Sequence, residues 1–473
     1  MRRPWEDRWV KITGKVGLTA ALTVAIWAAL PGTAGAADGT PTLEELSFVL
    51  NSFALLVWGA LVMWMCAGFT MLEAGSVRTK NASMICLKNV GIYSIAALAF
   101  YFVGYNLMYV DVDSVIGSFS LLFDPSEAEV ALIGGDESVI ADVLEPGRSG
   151  IATWLFQMLF VATTASIVSG AMLERTKLWA FWAFTLILTA FIYPTVGAWI
   201  WGGGWLDQLG FEDFAGGTVV HVVGGAAALA GVIVVGPRRR KFRLDGTAKP
   251  TPPSNVLVVT LGVLILWLGW FGFNAGSQGG LAAARDVATM ATILVNTNLA
   301  AASGMLAAVA CSRPVFGRLG LAPSLNGALA GLVSVTAAPA FADQYWSVVI
   351  GAIAGVLCTL ATWLLERIKL DDVVGAVPVH LVGGAWGTLA AVVTSGADLA
   401  AQAVGLVSAL GFVFVVSFVV WRVIDAAFGI RISSQVEFVG QDVAEMGIEA
   451  NPEFVLVPED REGYGPTSFV RDR

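Results

Sequence analysis

Eleven stretches of this chain are nearly free of charge and about as long as a bilayer is thick. They cover residues 46–73, 88–110, 151–173, 178–201, 214–236, 255–275, 287–311, 321–340, 345–365, 374–394 and 401–427. About twenty apolar residues in a helix cross a hydrocarbon core of about 30 Å. Inside lipid every backbone amide must be satisfied within the protein, which leaves helices or a closed barrel. Continuous runs of this length, without strand alternation, predict an all-α polytopic membrane protein. Over 473 residues, 56% are apolar and only 13% charged. The mean hydropathy of +0.75 lies outside the range of soluble globular chains. The 53 glycines suit helices that must approach closely without a hydrophobic drive.

Charge predicts the orientation. The connections after the odd-numbered runs hold most Lys and Arg, including Arg238–Arg243, written RRRKFR. The opposite connections hold only Arg148 and Arg285, and the segment 111–150 is acidic. Basic loops stay cytoplasmic, so the expected orientation is N-out and C-in. At the start, Arg2, Arg3, Arg8, Lys11 and Lys15 precede an apolar stretch, Val16 to Leu30. Ala34, Gly35 and Ala36 then form an A-x-A site, the pattern of a cleaved signal peptide. An uncleaved first span is the rival reading. The expected organisation is a signal peptide at 1–36, a membrane domain at 37–428 and a cytoplasmic tail at 429–473. Within the membrane domain, spans one to five occupy about 46–236, six to ten about 255–394, and the eleventh about 401–427. Cys66, Cys86, Cys311 and Cys358 show neither metal spacing nor a disulfide framework, and packing is their expected role.

Two segments repeat in matching frames. DFAGGTVVHVVGGAAALAG occupies 213–231, and DVVGAVPVHLVGGAWGTLAA occupies 372–391. Each places a His eight residues after an Asp, followed by a Gly pair, and His221 and His380 are the only histidines. One run enters from outside and the other from the cytoplasm. At 1.5 Å per residue each imidazole sits roughly 12 Å in, so the two can meet near the midplane. Spans one to five and six to ten then form an inverted repeat with a site at its interface, a transporter pattern. Helical geometry puts each Asp about 80° from its own His, so capping of the helix start is expected for Asp372 and as part of the role of Asp213. Gly224, Gly225, Gly383 and Gly384 permit close backbone approach beside the imidazoles.

Ionisable groups inside membranes mark pathways and proton relays, although a lone His can be hydrogen-bonded packing. Two ligands without a carboxylate on the same face argue against a metal. A redox enzyme with both histidines on haem would need widely spaced helices, which the Gly pairs oppose. Further candidates lie in LWLGWFGFNAGSQGG (266–280), AWIWGGGW (198–205) and WLFQMLFVATTASIVSG (154–170). Phe273 and Ser277 share a face, and Trp201 precedes three glycines. An indole face with a hydroxyl acceptor suits a small cation. For Trp267 and Trp270 an interfacial belt is the expected role. Phe156 and Phe160 face one way, with Gln157 beside them; aromatic packing is the alternative there.

The segments WGGGW, DFAGGTVVH, GWFGFNAGS, MLEAGSVRTKN and DDVVGAVPVHLVGGAWG are similar to those of the ammonium transporter family (Amt/Mep/Rh), of the bacterial Amt type. The likeness runs through residues 45–450. The resemblance implies an eleven-span homotrimer in the inner membrane, with a narrow pore through each protomer. It needs no cofactor, no metal and no enzymatic step. By that resemblance Trp201, Ser277 and Phe160 form an outer recruitment site for ammonium, with the Asp213 carboxylate beneath it. Phe160 and Phe273 are the stacked gate, and His221 and His380 the paired pore histidines. Gln157 and Asp372 also fall on motif positions.

Two departures stand out. Leu72-Glu73-Ala74-Gly75 occupies a place where some relatives have aromatic and glycine residues, and Glu73 has no assigned role. In GQDVAEMGIEAN (440–451), Asp442, Glu445 and Gly447 remain, but Met446 and Ile448 replace a His and a second Glu. P-II regulators engage relatives at this tail, so such a partner is in doubt. The expected substrate is ammonium, recruited outside, deprotonated, and conducted as ammonia past a His-pair proton relay. The alternative is an ammonium sensor working through a separate partner, since about 45 residues after the last span are too few for a catalytic domain.

Overall fold

The computed structural model describes residues 41–452. The signal peptide expected at 1–36 and the end of the tail lie outside the described residues. The described part of the first 46 residues is the beginning of one helix, and the helical bundle is the unit that starts at Ser47.

Among the described residues the regular structure is helical, with only single bridges at Thr176–Arg431 and Phe242–Ala248. Among the described residues ten helices are long and apolar enough to cross a membrane. They are α1 (Leu43–Ser76), α2 (Thr79–Tyr109), α3 (Gly150–Ala171), α4 (Leu178–Gln208) and α5 (Gly217–Val235) in the first half. The second half has α6 (Val256–Gly276), α7 (Ala284–Phe316), the shorter apolar α8 (Leu321–Thr336), α9 (Tyr345–Arg367), α10 (Val377–Thr394) and α11 (Leu399–Phe428). Most track the apolar runs within a few residues, but α2 begins nine residues before its expected start at 88 and α4 continues seven residues past its expected end at 201. α7 extends past its run at both ends, and inside it polar Asn296 and Thr297 are buried, with Asn296 donating to the carbonyls of Pro339 and Phe341.

Small residues set the packing. α8 carries Gly327 and Gly331, and α9 carries Gly351 and Gly355, each pair four apart on one face. A Cβ on Gly331 or Gly351 would lie 2.1 or 2.2 Å from the Ala300 carbonyl oxygen of α7. The three backbones therefore touch, which suits a setting where dispersion rather than water expulsion joins helices.

The helices leave the α-form where something forces them to. A π turn at Leu188–Ile192 precedes Pro194, which has no N–H for the ladder. Two further π turns, Gly217–Val222 and Val377–Val382, open α5 and α10 and hold His221 and His380. α5 and α10 start three residues later than their apolar runs. The reason is a loop of matched design: Asp213 with left-handed Gly216 (φ 98°), and Asp372 with left-handed Gly375 (φ 86°). A side chain at either glycine would be strained.

At one end of the bundle the basic loops meet buried carboxylates. Arg238 binds Asp371 through Nε at 2.8 Å and Nη2 at 2.8 Å, and reaches Glu174 through Nη1 at 2.9 Å. Arg78 Nε adds a contact to Glu174 at 2.9 Å, and Arg175 donates to the Asp371 carbonyl at 2.6 Å. Burial alone would raise the carboxyls. Arg238 and Arg78 reverse this and hold Glu174 down to about 2, and Arg238 with Arg175 keeps Asp371 well below the usual range. The tail packs here as well. Asp442 accepts from the Ser83 and Met84 amides of α2, and Glu437 pairs with Arg431 at 2.9 Å.

Candidate functional site

A line of rings runs through the core. Phe160 of α3 stacks on Phe273 of α6 with centroids 4.0 Å apart. Phe273 lies 5.6 Å from the His221 ring, and His221 lies 5.1 Å from His380, both in stacked geometry. The imidazoles meet at Nδ1, 3.1 Å apart. One Nδ1 must donate and the other accept, so the pair shares a single proton along that contact. His221 is completely buried and its Nε2 has no partner among the described residues.

The backbone explains why the rings meet. Asp213 accepts from the Gly216 amide at 3.0 Å and from the Thr218 and Val219 amides at 2.8 Å. Asp372 accepts from Gly375 at 3.0 Å, Ala376 at 3.1 Å and Val377 at 2.7 Å. Each carboxylate thus caps the orphan N–H groups of the turn leading to its own His. The turns are π rather than α, so the 80° separation taken from α geometry does not describe them. Thr218 meets Thr388 at 2.6 Å, His221 meets His380, and a Cβ on Gly225 would come 2.5 Å from the Leu381 amide nitrogen. Early residues of one segment touch late residues of the other, so α5 and α10 cross antiparallel. The Gly pairs lie where the expected close approach occurs: Gly384 abuts the Gly217 carbonyl, and a Cβ there would be 2.7 Å away.

On the Phe160 side the rings open into a cavity of about 390 Å³. Trp201, Ser277, Phe160 and Gln157 line it, together with Tyr109 and Phe214. Trp201 sits edge-on to Phe160 with centroids 6.0 Å apart, and its indole N–H donates to the Asp213 carbonyl at 2.7 Å. The indole is thereby held in place at the edge of this cavity. The Ser277 hydroxyl donates to the Phe273 carbonyl at 2.9 Å, which leaves its lone pairs available to the cavity. The Gln157 Oε1 is a buried acceptor without a partner. Asp213 does not line this space. It borders a neighbouring cavity of about 250 Å³ that shares Trp201.

Beyond His380 a third, much tighter cavity is lined by His380, Glu73, Ser166 and Asn326. Sequence reasoning left Glu73 without a role. Its partner Lys88, a lone charge of opposite sign in the next apolar run, was the signal that could have placed it.

Two expectations are corrected. Trp270 is not an interfacial residue. It is fully buried, stacks on His221 with centroids 5.2 Å apart, and donates to Thr336 Oγ1 at 2.9 Å. Its place three residues before Phe273, on the same helical face, carries that information. Cys86 is exposed rather than packed. Haem ligation by both histidines does not fit either. An ion between two imidazole nitrogens holds them about 4 Å apart, two bonds of about 2 Å, whereas these are in direct contact at 3.1 Å.

Known proteins share this arrangement of chain. The sequence model of the Ammonium Transporter Family matches residues 53–451. The chain is 37% identical over 460 residues to Ammonium transporter Amt2 of Archaeoglobus fulgidus, covering 90% of this chain and 94% of that one. It is 32% identical over 414 residues to an ammonium transporter of Bacillus subtilis, covering 84% of this chain and 96% of the relative. Among solved structures, one described as a Sensor Amt Protein aligns with a TM-score of 0.77 at 33% identity, over 85% of this chain and 99% of that chain. Candida albicans Mep2 aligns with a TM-score of 0.70 at 28% identity, over 83% of this chain and 88% of that chain. With the match spanning the helices that carry the ring line, the chain belongs to the ammonium transporter family.

Proposed function

We propose that this protein takes up ammonium at the Trp201–Ser277–Phe160 cavity, removes its proton, and conducts ammonia past the two histidines while the proton follows along the imidazole pair. The observation that carries this reading is the Nδ1–Nδ1 contact of 3.1 Å, beyond a stacked Phe160–Phe273 pair and inside an apolar core. A bare cation among such side chains costs many kcal/mol. Ammonia avoids most of that cost, and an imidazole pair offers the proton its own path.

At the cavity, the Trp201 face attracts the cation by its ring quadrupole, and the Ser277 oxygen and Gln157 Oε1 accept its N–H groups. Asp213 acts one step back, by positioning: its carbonyl holds the indole and its carboxylate fixes the turn to His221. Phe160 and Phe273 must part or rotate for passage, and so act as a gate. The reading extends to a homotrimer in the bacterial inner membrane, eleven spans, N-out and C-in, with a pore in each protomer. The tail at 429–473 then faces the cytoplasm. There Met446 and Ile448 alter the surface that would meet a P-II regulator.

The test is ammonium-evoked current in proteoliposomes. The His221→Ala/His380→Ala double variant is expected to lose that current. Current of wild-type size and selectivity in the double variant would remove the relay from the mechanism.

A second reading, ammonium sensing with little flux, is favoured by the likeness to the structure described as a Sensor Amt Protein. Ammonium-dependent conformational change with no flux in the same liposomes would select it.

A further inference from the structure

On the far side of the histidine pair lies a charge that the transport reading does not use. Glu73 of α1 is 0% exposed. Its Oε2 accepts from the Ser169 hydroxyl of α3 at 2.8 Å and lies 3.3 Å from Lys88 Nζ of α2. Its Oε1 has no hydrogen-bond partner among the described residues. That oxygen lies against bare backbone, since a Cβ on Gly170 would be 3.5 Å from it. Glu73 and His380 line one cavity, in which the centre of a water molecule can explore about 10 Å³. That is room for about one water.

A buried ion pair is costly to desolvate and is often no better for stability than apolar residues of the same size. Inside a membrane such groups usually lie on ion or proton pathways. Here one carboxylate oxygen is occupied by Ser169 and Lys88, and the other is free beside the space that His380 borders. The charged and titratable groups near Glu73 are Lys88 and Cys86 of α2 and His380 of α10.

Resting on the transport reading, we propose that Glu73 is the proton acceptor on the inner side of the histidine pair. A proton leaving the His380 imidazolium passes through one water to Glu73 Oε1. The imidazole returns to its neutral form and the carboxylate becomes a carboxylic acid. That acid then gives its proton to an emerging ammonia, which leaves as ammonium, and the carboxylate is restored beside Lys88. Proton and substrate separate above the pair and rejoin below it.

The experiment measures ammonium-evoked current in proteoliposomes for the wild type, His221→Ala/His380→Ala, Glu73→Gln, Glu73→Asp and Glu73→Gln/Lys88→Met. Glu73→Gln is expected to lower the maximal current at least tenfold while the half-saturating ammonium concentration stays within twofold, because the recruitment cavity is untouched. Glu73→Asp, which keeps an acid, should recover part of the current. The Glu73→Gln/Lys88→Met pair tells the two possible roles apart. It removes both charges together and so repairs the unpaired lysine, raising the thermal midpoint above that of Glu73→Gln. The inference expects its current to stay low. Recovery of current in that double variant, or undiminished current in Glu73→Gln, overturns the inference and leaves the transport reading intact. A wild type without current overturns both.

Discussion

Asp213 and Asp372 hold the same backbone turn, yet one looks into aromatic rings and the other into a charge network. Ahead of His221, the Asp213 segment packs under Trp201, and the imidazole lies against Trp270 and Phe273. Ahead of His380, Asp372 follows Asp371, which is held by Arg238 and Arg175, and the imidazole borders the cavity of Glu73. The repeated element is thus the means of placing an imidazole at the crossing. What each half exchanges with its surroundings is set by neighbours that do not repeat. One side suits recognition of a cation by π faces and neutral oxygens. The other suits handling of a proton by an ionisable carboxylate beside a lysine.

The comparison breaks most visibly at Arg238. Arg238→Ala leaves Glu174 and Asp371 buried without their main partner, and should destabilise the protein by about 3–5 kcal/mol. The readout is the unfolding midpoint in detergent. An unchanged midpoint would show that the network does not support the Asp372 half. The sign of the pH dependence follows from the same contacts. Both carboxyls are held below their unfolded values, Glu174 at about 2. Their contribution is therefore fully present above about pH 4.5 and is lost as pH falls through about 4 to 2. Wild-type stability should drop across that window, and the drop should shrink in Arg238→Ala.

The two caps come next. Asp213→Ala strands three amides at a site only 6% exposed, at an expected cost of about 2–3 kcal/mol. Asp372 is half-buried, so water can replace part of its role, and Asp372→Ala should cost about 1 kcal/mol. Equal losses would mean that burial does not separate the two halves. Gly216→Ala and Gly375→Ala sharpen the opposite point. Both glycines are left-handed, at φ 98° and 86°, and a Cβ would press on Val220 at Gly216 and on Asn326 at Gly375, so each substitution should cost at least about 1–2 kcal/mol in strain. Similar midpoints for the two would confirm that the turn itself is shared.

How much of this could be read before the fold was known depends on whether a signal is local. Apolar runs placed the helices because a spanning helix must be long and continuous. The pairing of His221 with His380 was readable because two rare residues sit in matching frames. That Trp201, Ser277 and Phe160 share one cavity was legible only through motif likeness, since interfacial belts and cavity linings have the same composition. The π turns that hold His221 and His380 were hidden because they arise from capping by Asp213 and Asp372 across the turn. Their only trace is the shared Asp-x-x-Gly, and at 378 a proline. Trp270 was misjudged because indoles near a helix end usually anchor at the interface. Here a buried acceptor, Thr336, satisfies its N–H instead. Glu73 and Lys88 lie on different helices, so their pairing is signalled only by opposite lone charges in successive apolar runs and not by any local pattern.

The smallest effect tests the seam between the halves. Thr218 Oγ1 and Thr388 Oγ1 are 2.6 Å apart, and both residues are fully buried. They lie on α5 and α10, so this is a polar tie between the halves beside the imidazole contact. Thr218→Val alone leaves the partner hydroxyl without a mate, as does Thr388→Val, and each should cost about 1 kcal/mol. The double variant replaces both hydroxyls with methyls of similar volume, and should lie within a few tenths of a kcal/mol of the wild type. The double-mutant cycle then reads a coupling of about 1–2 kcal/mol between segments 170 residues apart in sequence. Simple additivity of the two losses would mean that the hydroxyls do not interact. In that case van der Waals contact along the Gly225 and Gly384 faces must join the halves at this point without polar help.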